Sequence, residues 1–151
     1  MGGAGSKGRF AMTPDRLVRE WFEQVWNQQQ VAAIDRLMAP HAVIHDLPTP
    51  TGAPMQGSAD FKPFHSRFLA AFPDIHVDVL RTIVEGNHVA VHCRVTATHH
   101  GSGLGMAATG RQATISGIAI ARVENDQLVE AWNCFDFLSL YQQLGLLPAM
   151  S

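Results

Sequence analysis

Asp136, His45 and two strand arginines, Arg94 and Arg122, are the side chains whose types and settings could do acid–base chemistry in an apolar pocket. Trp132, Cys134 and Asp136 share one phase of a strand alternation, so if the first two face inward the carboxyl of Asp136 follows them. Burial there would raise its pKa towards the range in which it takes and returns a proton near neutrality. The competing reading makes Asp136 the cap of a closing helix, where its carboxylate accepts backbone N–H bonds and stays ionised. His45 shares a phase with Val43 and Leu47, a polar group in an apolar row. It is either a core histidine bonded to backbone or the acid–base partner of the carboxylate. Arg94 and Arg122 interrupt apolar strands, which fits a solvated face, an ion pair or an oxyanion site inside a pocket. Trp26, Phe64, Phe68 and Trp132 are the candidate wall residues.

Metal ligation finds no support in the histidine spacing. His88 and His92 lie four apart on a strand, ~13 Å at ~3.3 Å per residue, and cannot share one ion. His41 and His45 meet the same objection, and His99 and His100 point to opposite faces. The glycine run Gly101–Gly105 follows a strand, precedes no helix and lacks the lysine of a phosphate loop, so it reads as a hairpin connection.

Helices and strands can be traced that would position these groups. Thr13-Pro14-Asp15 is a helix start, with Thr13 as the cap, and Leu17, Val18, Trp21, Phe22, Val25 and Trp26 recur behind it at helical spacing. Val31, Ile34, Leu37 and Met38 suggest a shorter second helix ending before Pro40. Residues 42–47 read as a strand and the following Pro/Gly-rich stretch as a loop. Ser58 then caps a third helix whose stripe is Phe61, Phe64, Phe68, Leu69 and Phe72, stopped by Pro73. Strands are expected at 75–84, 88–98, 112–123 and 128–135, with turns at Glu85-Gly86-Asn87 and Glu124-Asn125-Asp126. A short helix ended by Gly145 closes the chain. Consecutive strands joined by short turns make an antiparallel meander with the early helices on one face, an α+β architecture. A strongly curved version of that sheet is a cone with a pocket inside.

The 151 residues amount to a single domain, read as 13–148 behind a flexible tail over 1–12. Hydrophobic residues at 46% against 16% charged exclude disorder and allow a greasy cavity. A formal charge of −2 with no basic cluster argues against nucleic acid and anionic membranes and for a hydrophobic small-molecule ligand. No apolar run reaches the roughly 20 residues of a membrane span and no secretory leader is evident, so a cytoplasmic address is expected. Cys93 and Cys134 read as two reduced, buried thiols. If Ile118 and Ile120 point inward, Ala119 and Ala121 lie on an apolar outer face that wants a partner.

Ala71-Phe72-Pro73-Asp74, Thr98-His99-x-Gly101, Thr109-Gly110, Glu130-x-Trp132-x-x-x-Asp136 and Gln142-Gln143-Leu144-Gly145 occur in this order on these elements. Over roughly residues 14–148 the chain thereby resembles the SnoaL-like polyketide cyclases, within the nuclear transport factor 2-like superfamily. The resemblance implies a cone-shaped α+β barrel, ring closure by intramolecular aldol chemistry without metal or organic cofactor, and a homodimer. It implies that Asp136 is the acid–base carboxylate. The histidine such cyclases carry about fourteen residues earlier is replaced here by Arg122. Arginine cannot deliver a proton near neutrality and could at most stabilise an enolate, which leaves His45 as the assisting group. A non-catalytic protein that sequesters its ligand in the same pocket is the alternative.

Overall fold

The computed structural model describes residues 11–148; the expected tail over 1–12 lies mostly outside them. Met12 is within them, and its N–H donates to the Asp126 carboxylate at 2.8 Å.

Helix α1 (Pro14–Glu20) runs without a break into a π-helical segment (Trp21–Asn27). Helices α2 (Val31–Leu37) and α3 (Gly57–Ala71) follow, flanking strands β1 (Met38–His45) and β2 (Met55–Gln56). Then come β3 (His76–Glu85), β4 (His88–Thr98), β5 (Gln112–Glu124) and β6 (Gln127–Phe135), and the closing helix α4 (Phe137–Gln143). The six strands form one open sheet of order β2-β1-β6-β5-β4-β3, antiparallel throughout except for the parallel pairing of β1 with β6. Asn125 and Asp126 both hold positive φ, 52° and 59°, the geometry of a tight two-residue hairpin turn.

Four local expectations are corrected. Thr13 stands at the N-cap of α1 but its side chain makes no cap hydrogen bond; Leu17 N–H donates to the Thr13 carbonyl instead. Ser58 lies inside α3, whose N-cap is Gln56, and the Asp60 carboxylate accepts the Gln56 N–H at 2.8 Å. Of the two free thiols only Cys93 is buried, with its pKa pushed up to about 12 by burial; Cys134 is exposed. Ala119 and Ala121 face the core, while Ile118 and Ile120 stand outside, 52% and 43% exposed. The β5 alternation is real; its phase is the reverse of the one expected.

The core lies between the sheet's concave face and the helices. Within it the π-helical stretch turns Trp21, Phe22, Val25 and Trp26 inward. The wider π turn is marked by the Gln28 N–H donating to Glu23 O at 2.8 Å, five residues back. His65 of α3 is 1% exposed and donates from Nε2 to the Val25 carbonyl at 2.7 Å, joining the two helices. No helix among the described residues is long and apolar enough to cross a membrane.

Candidate active site

A cavity of about 110 Å³ opens between the helices and the concave face of the sheet. Aromatic rings dominate it: Trp21 and Trp26 from the π-helical segment, Phe61, Phe64 and Phe68 from α3, and Phe72 beyond it. The rings support one another edge-on, with Trp26 making near-perpendicular contacts to Phe61, Phe64 and Phe68 at 6.1–6.4 Å. From β6 the cavity takes Ala131, Asn133 and Phe135, and from α4 Phe137 and Leu140. Leu47, Val95, Asn133, Phe135 and Phe137 are the half-buried members of the wall, and those from β6 and α4 mark its mouth.

Trp26, Phe64 and Phe68 are therefore where the sequence expectation put them. The other site residues are not. On β6 the phase is inverted: Ala131, Asn133 and Phe135 face the cavity, so Trp132 and Cys134 face away. Asp136 is exposed, stands at the N-cap of α4 and accepts the Ser139 N–H at 3.0 Å through Oδ1. The cap geometry is thus the one realised, and the desolvation that the buried-acid reading requires is absent. Asp136 is not itself a wall residue, but it lies in the chain between Phe135 and Phe137, which are, and its Oδ2 has no hydrogen-bond partner among the described residues.

His45, Arg122 and Trp132 are corrected together, because all three belong to the outer face. His45 Nε2 lies 2.7 Å from Glu130 Oε2, and Arg122 donates to Glu130 Oε1 at 3.3 Å and to Glu124 Oε1 at 2.9 Å. The hydrogen bond from His45, with that from Arg122 behind it, holds the Glu130 carboxyl below the usual glutamate range. The Trp132 indole is stacked between His45 and His88, at 5.6 Å and 6.4 Å between ring centroids. Arg94 is exposed, and its neighbour across β4–β5 is Ser116. None of the four lines the cavity. No group of three or more His, Cys, Asp or Glu side chains is placed to hold a metal ion among the described residues.

The residue the sequence reading missed is Asn133. Its amide donates from Nδ2 to the His45 carbonyl at 2.9 Å, joining β6 to the end of β1. Alternation could have found it, since 131, 133 and 135 form the complementary row; the apolar character of Trp132 and Cys134 favoured the other phase. Phe135 reaches the cavity because Gly117, opposite it on β5, has no side chain: a Cβ there would fall 2.1 Å from Phe135 Cδ1.

His99 serves the loop between β4 and β5. Its Nδ1 accepts the Thr109 N–H at 3.2 Å, and its backbone pairs with Gly110 and Arg111. The same loop lies flush on α3 at Gly101, where a Cβ would meet the Ala70 carbonyl oxygen at 1.9 Å.

Residues 16–144 match the SnoaL-like polyketide cyclase family. The chain belongs to that family. An enzyme of the isomerase or lyase kind is what membership implies. Among solved structures the chain is similar to IdmH of Streptomyces antibioticus, a proposed polyketide cyclase. Identity is 27%, the TM-score is 0.77, and 89% of this chain and 99% of that one are covered. It is equally similar to AclR of Streptomyces galilaeus, a proposed hydroxylase, with identity 27%, TM-score 0.77 and coverage of 91% and 84%. A hypothetical protein of Catenulispora acidiphila with a ketosteroid isomerase-like fold, in complex with trimethylamine, shares the fold at 18% identity and TM-score 0.73, with coverage of 93% and 99%. No match was found among curated protein sequences.

Proposed function

We propose that this SnoaL-like chain is a cofactor-independent acid–base enzyme that encloses the apolar body of a carbonyl-containing small molecule and closes or isomerises it at the cavity mouth. The observation that carries this reading is Asp136. It stands between two wall residues, Phe135 and Phe137, with one carboxylate oxygen tied to the helix N-terminus and the other without a partner among the described residues. A carboxylate so held is oriented by its cap and keeps one oxygen for a substrate C–H made acidic by an adjacent carbonyl. The aromatic wall contributes shape: it folds the substrate so that the enolate meets its electrophile. His45 has no part in the step, since its imidazole is engaged with Glu130 on the far face.

The test is Asp136→Asn assayed by mass spectrometry against a panel of polyketide-like β-keto esters. Product that wild type forms should fall at least a hundredfold, within the range one general acid–base group supplies; undiminished turnover would remove Asp136 from the reaction. A second reading, ligand sequestration without chemistry, draws on a specific fact: among the described residues no ionisable side chain lines the cavity. It expects a ligand retained unchanged by both proteins. The outer face, with Ile118 and Ile120 exposed, supports a second copy of this chain as partner.

A further inference from the structure

Asn133 supplies the only side-chain oxygen among the described residues of the cavity wall; the two indoles there can only donate. Its amide orientation is fixed from outside the cavity. Nδ2 donates to the His45 carbonyl, and the flipped amide would set oxygen against oxygen at the same 2.9 Å. Oδ1 is therefore left over. It has no hydrogen-bond partner among the described residues, and it is not one of the sealed, partnerless atoms of the interior, a condition met there only by His99 Nε2.

We infer that Asn133 Oδ1 is the specificity-determining acceptor of the cavity, and that the site takes apolar ring compounds carrying a hydroxyl donor, a phenol or an enol. The inference rests on the cavity being a small-molecule site, as proposed above. In an aromatic enclosure an unpaired amide oxygen favours a ligand that brings a proton to it and disfavours one that offers only a carbonyl or ether oxygen, which would leave two acceptors face to face. The carbonyl that the enolate chemistry needs then belongs near Asp136, and the hydroxyl belongs on Asn133, three residues earlier in the chain. The acceptor is a property of β6 and β1 together, because without the His45 carbonyl the amide would rotate freely and offer either end.

An isosteric ligand pair isolates this effect. A dry apolar cavity of roughly 150 Å³ takes up benzene, so one-ring probes suit a site of this size, and p-cresol and p-xylene differ only by hydroxyl against methyl. Titrated into the intact protein, p-cresol should bind at least fivefold more tightly than p-xylene, and the Asn133 13Cγ resonance should move with p-cresol alone. Asn133→Leu should abolish the preference while leaving p-xylene affinity within twofold. Binding of p-xylene with no preference for p-cresol and no movement of that resonance would overturn the acceptor role and leave the cavity reading standing. Failure of both probes to bind would remove the cavity reading and the inference with it. The resonance measurement on wild type decides the matter even if the variant does not fold.

Discussion

The imidazole of His45 lies almost parallel to the indole of Trp132, ring centroids 5.6 Å apart and planes 13° from coplanar, on the side of the sheet that turns away from the cavity. The two residues are register neighbours across the parallel β1–β6 pair, so this contact fixes which way both strands present their side chains. With Trp132 outside, Asn133 is inside, and the polar chemistry of the cavity passes to an amide.

Asp136 carries separable structural and chemical duties. Asparagine caps a helix about as well as aspartate, so Asp136→Asn should leave the urea midpoint nearly unchanged while turnover collapses; Asp136→Ala should in addition cost ~1 kcal/mol. Equal loss of stability in the two variants would contradict the cap geometry. His45→Gln supplies the contrast, with turnover kept within twofold of wild type.

Gly117 and Phe135 are coupled by space. Gly117→Ala pushes a methyl into the Phe135 ring and should destabilise by ~1–3 kcal/mol. Phe135→Leu made in the same background should recover part of that loss. Additive costs in the double-mutant cycle would show that the two side chains do not meet.

Acid should weaken the fold in two stages. Burial pushes the His65 imidazole below its ordinary 6.5. The unfolded chain therefore takes up a proton that the folded one refuses, and stability, flat above that value, falls as pH drops from 6.5 towards the folded pKa. For Glu130, whose pKa is lowered by His45 and then Arg122, the contribution is present above 4.5 and lost as pH falls below it. Urea midpoints between pH 7.5 and 5.5 should decline in wild type and decline less in His65→Gln; identical slopes would exclude His65. Glu130→Gln should flatten only the lower stage.

A dimer through the outer face would cover Ile118 and Ile120. Sedimentation at micromolar concentration should return twice the 16.5 kDa chain mass, and Ile118→Glu with Ile120→Glu should return one. A wild-type monomer would end that proposal.

Most of the architecture was legible because hydrophobic periodicity and turn residues speak directly: the starts and ends of β3 to β6 fall within a residue or so of expectation, and Gly86 and Asn125-Asp126 mark real turns. The cavity's aromatic wall followed from the α3 stripe. The phases of β5 and β6 did not, since both rows of each strand are apolar enough to be buried: Ala119 and Ala121 compete with Ile118 and Ile120, and Ala131 and Phe135 with Trp132 and Cys134. Apolar character suggested the wrong row. Ala119, Ala121, Ala131 and Gly117 leave room on the concave face for Phe135 and the helices, while Trp132 stacks outside between His45 and His88.

The order of the strands bears on how the chain folds as it is made. Beyond the two residues of β2, β1 has no strand partner among the described residues but β6, which is made after every other strand of the sheet. A nascent chain halted before residue 127 would hold β1 and the β3–β4–β5 ribbon with no strand to join them. Closure of so long a loop is slow, and the greasy inner surface stays open to aggregation until β6 arrives.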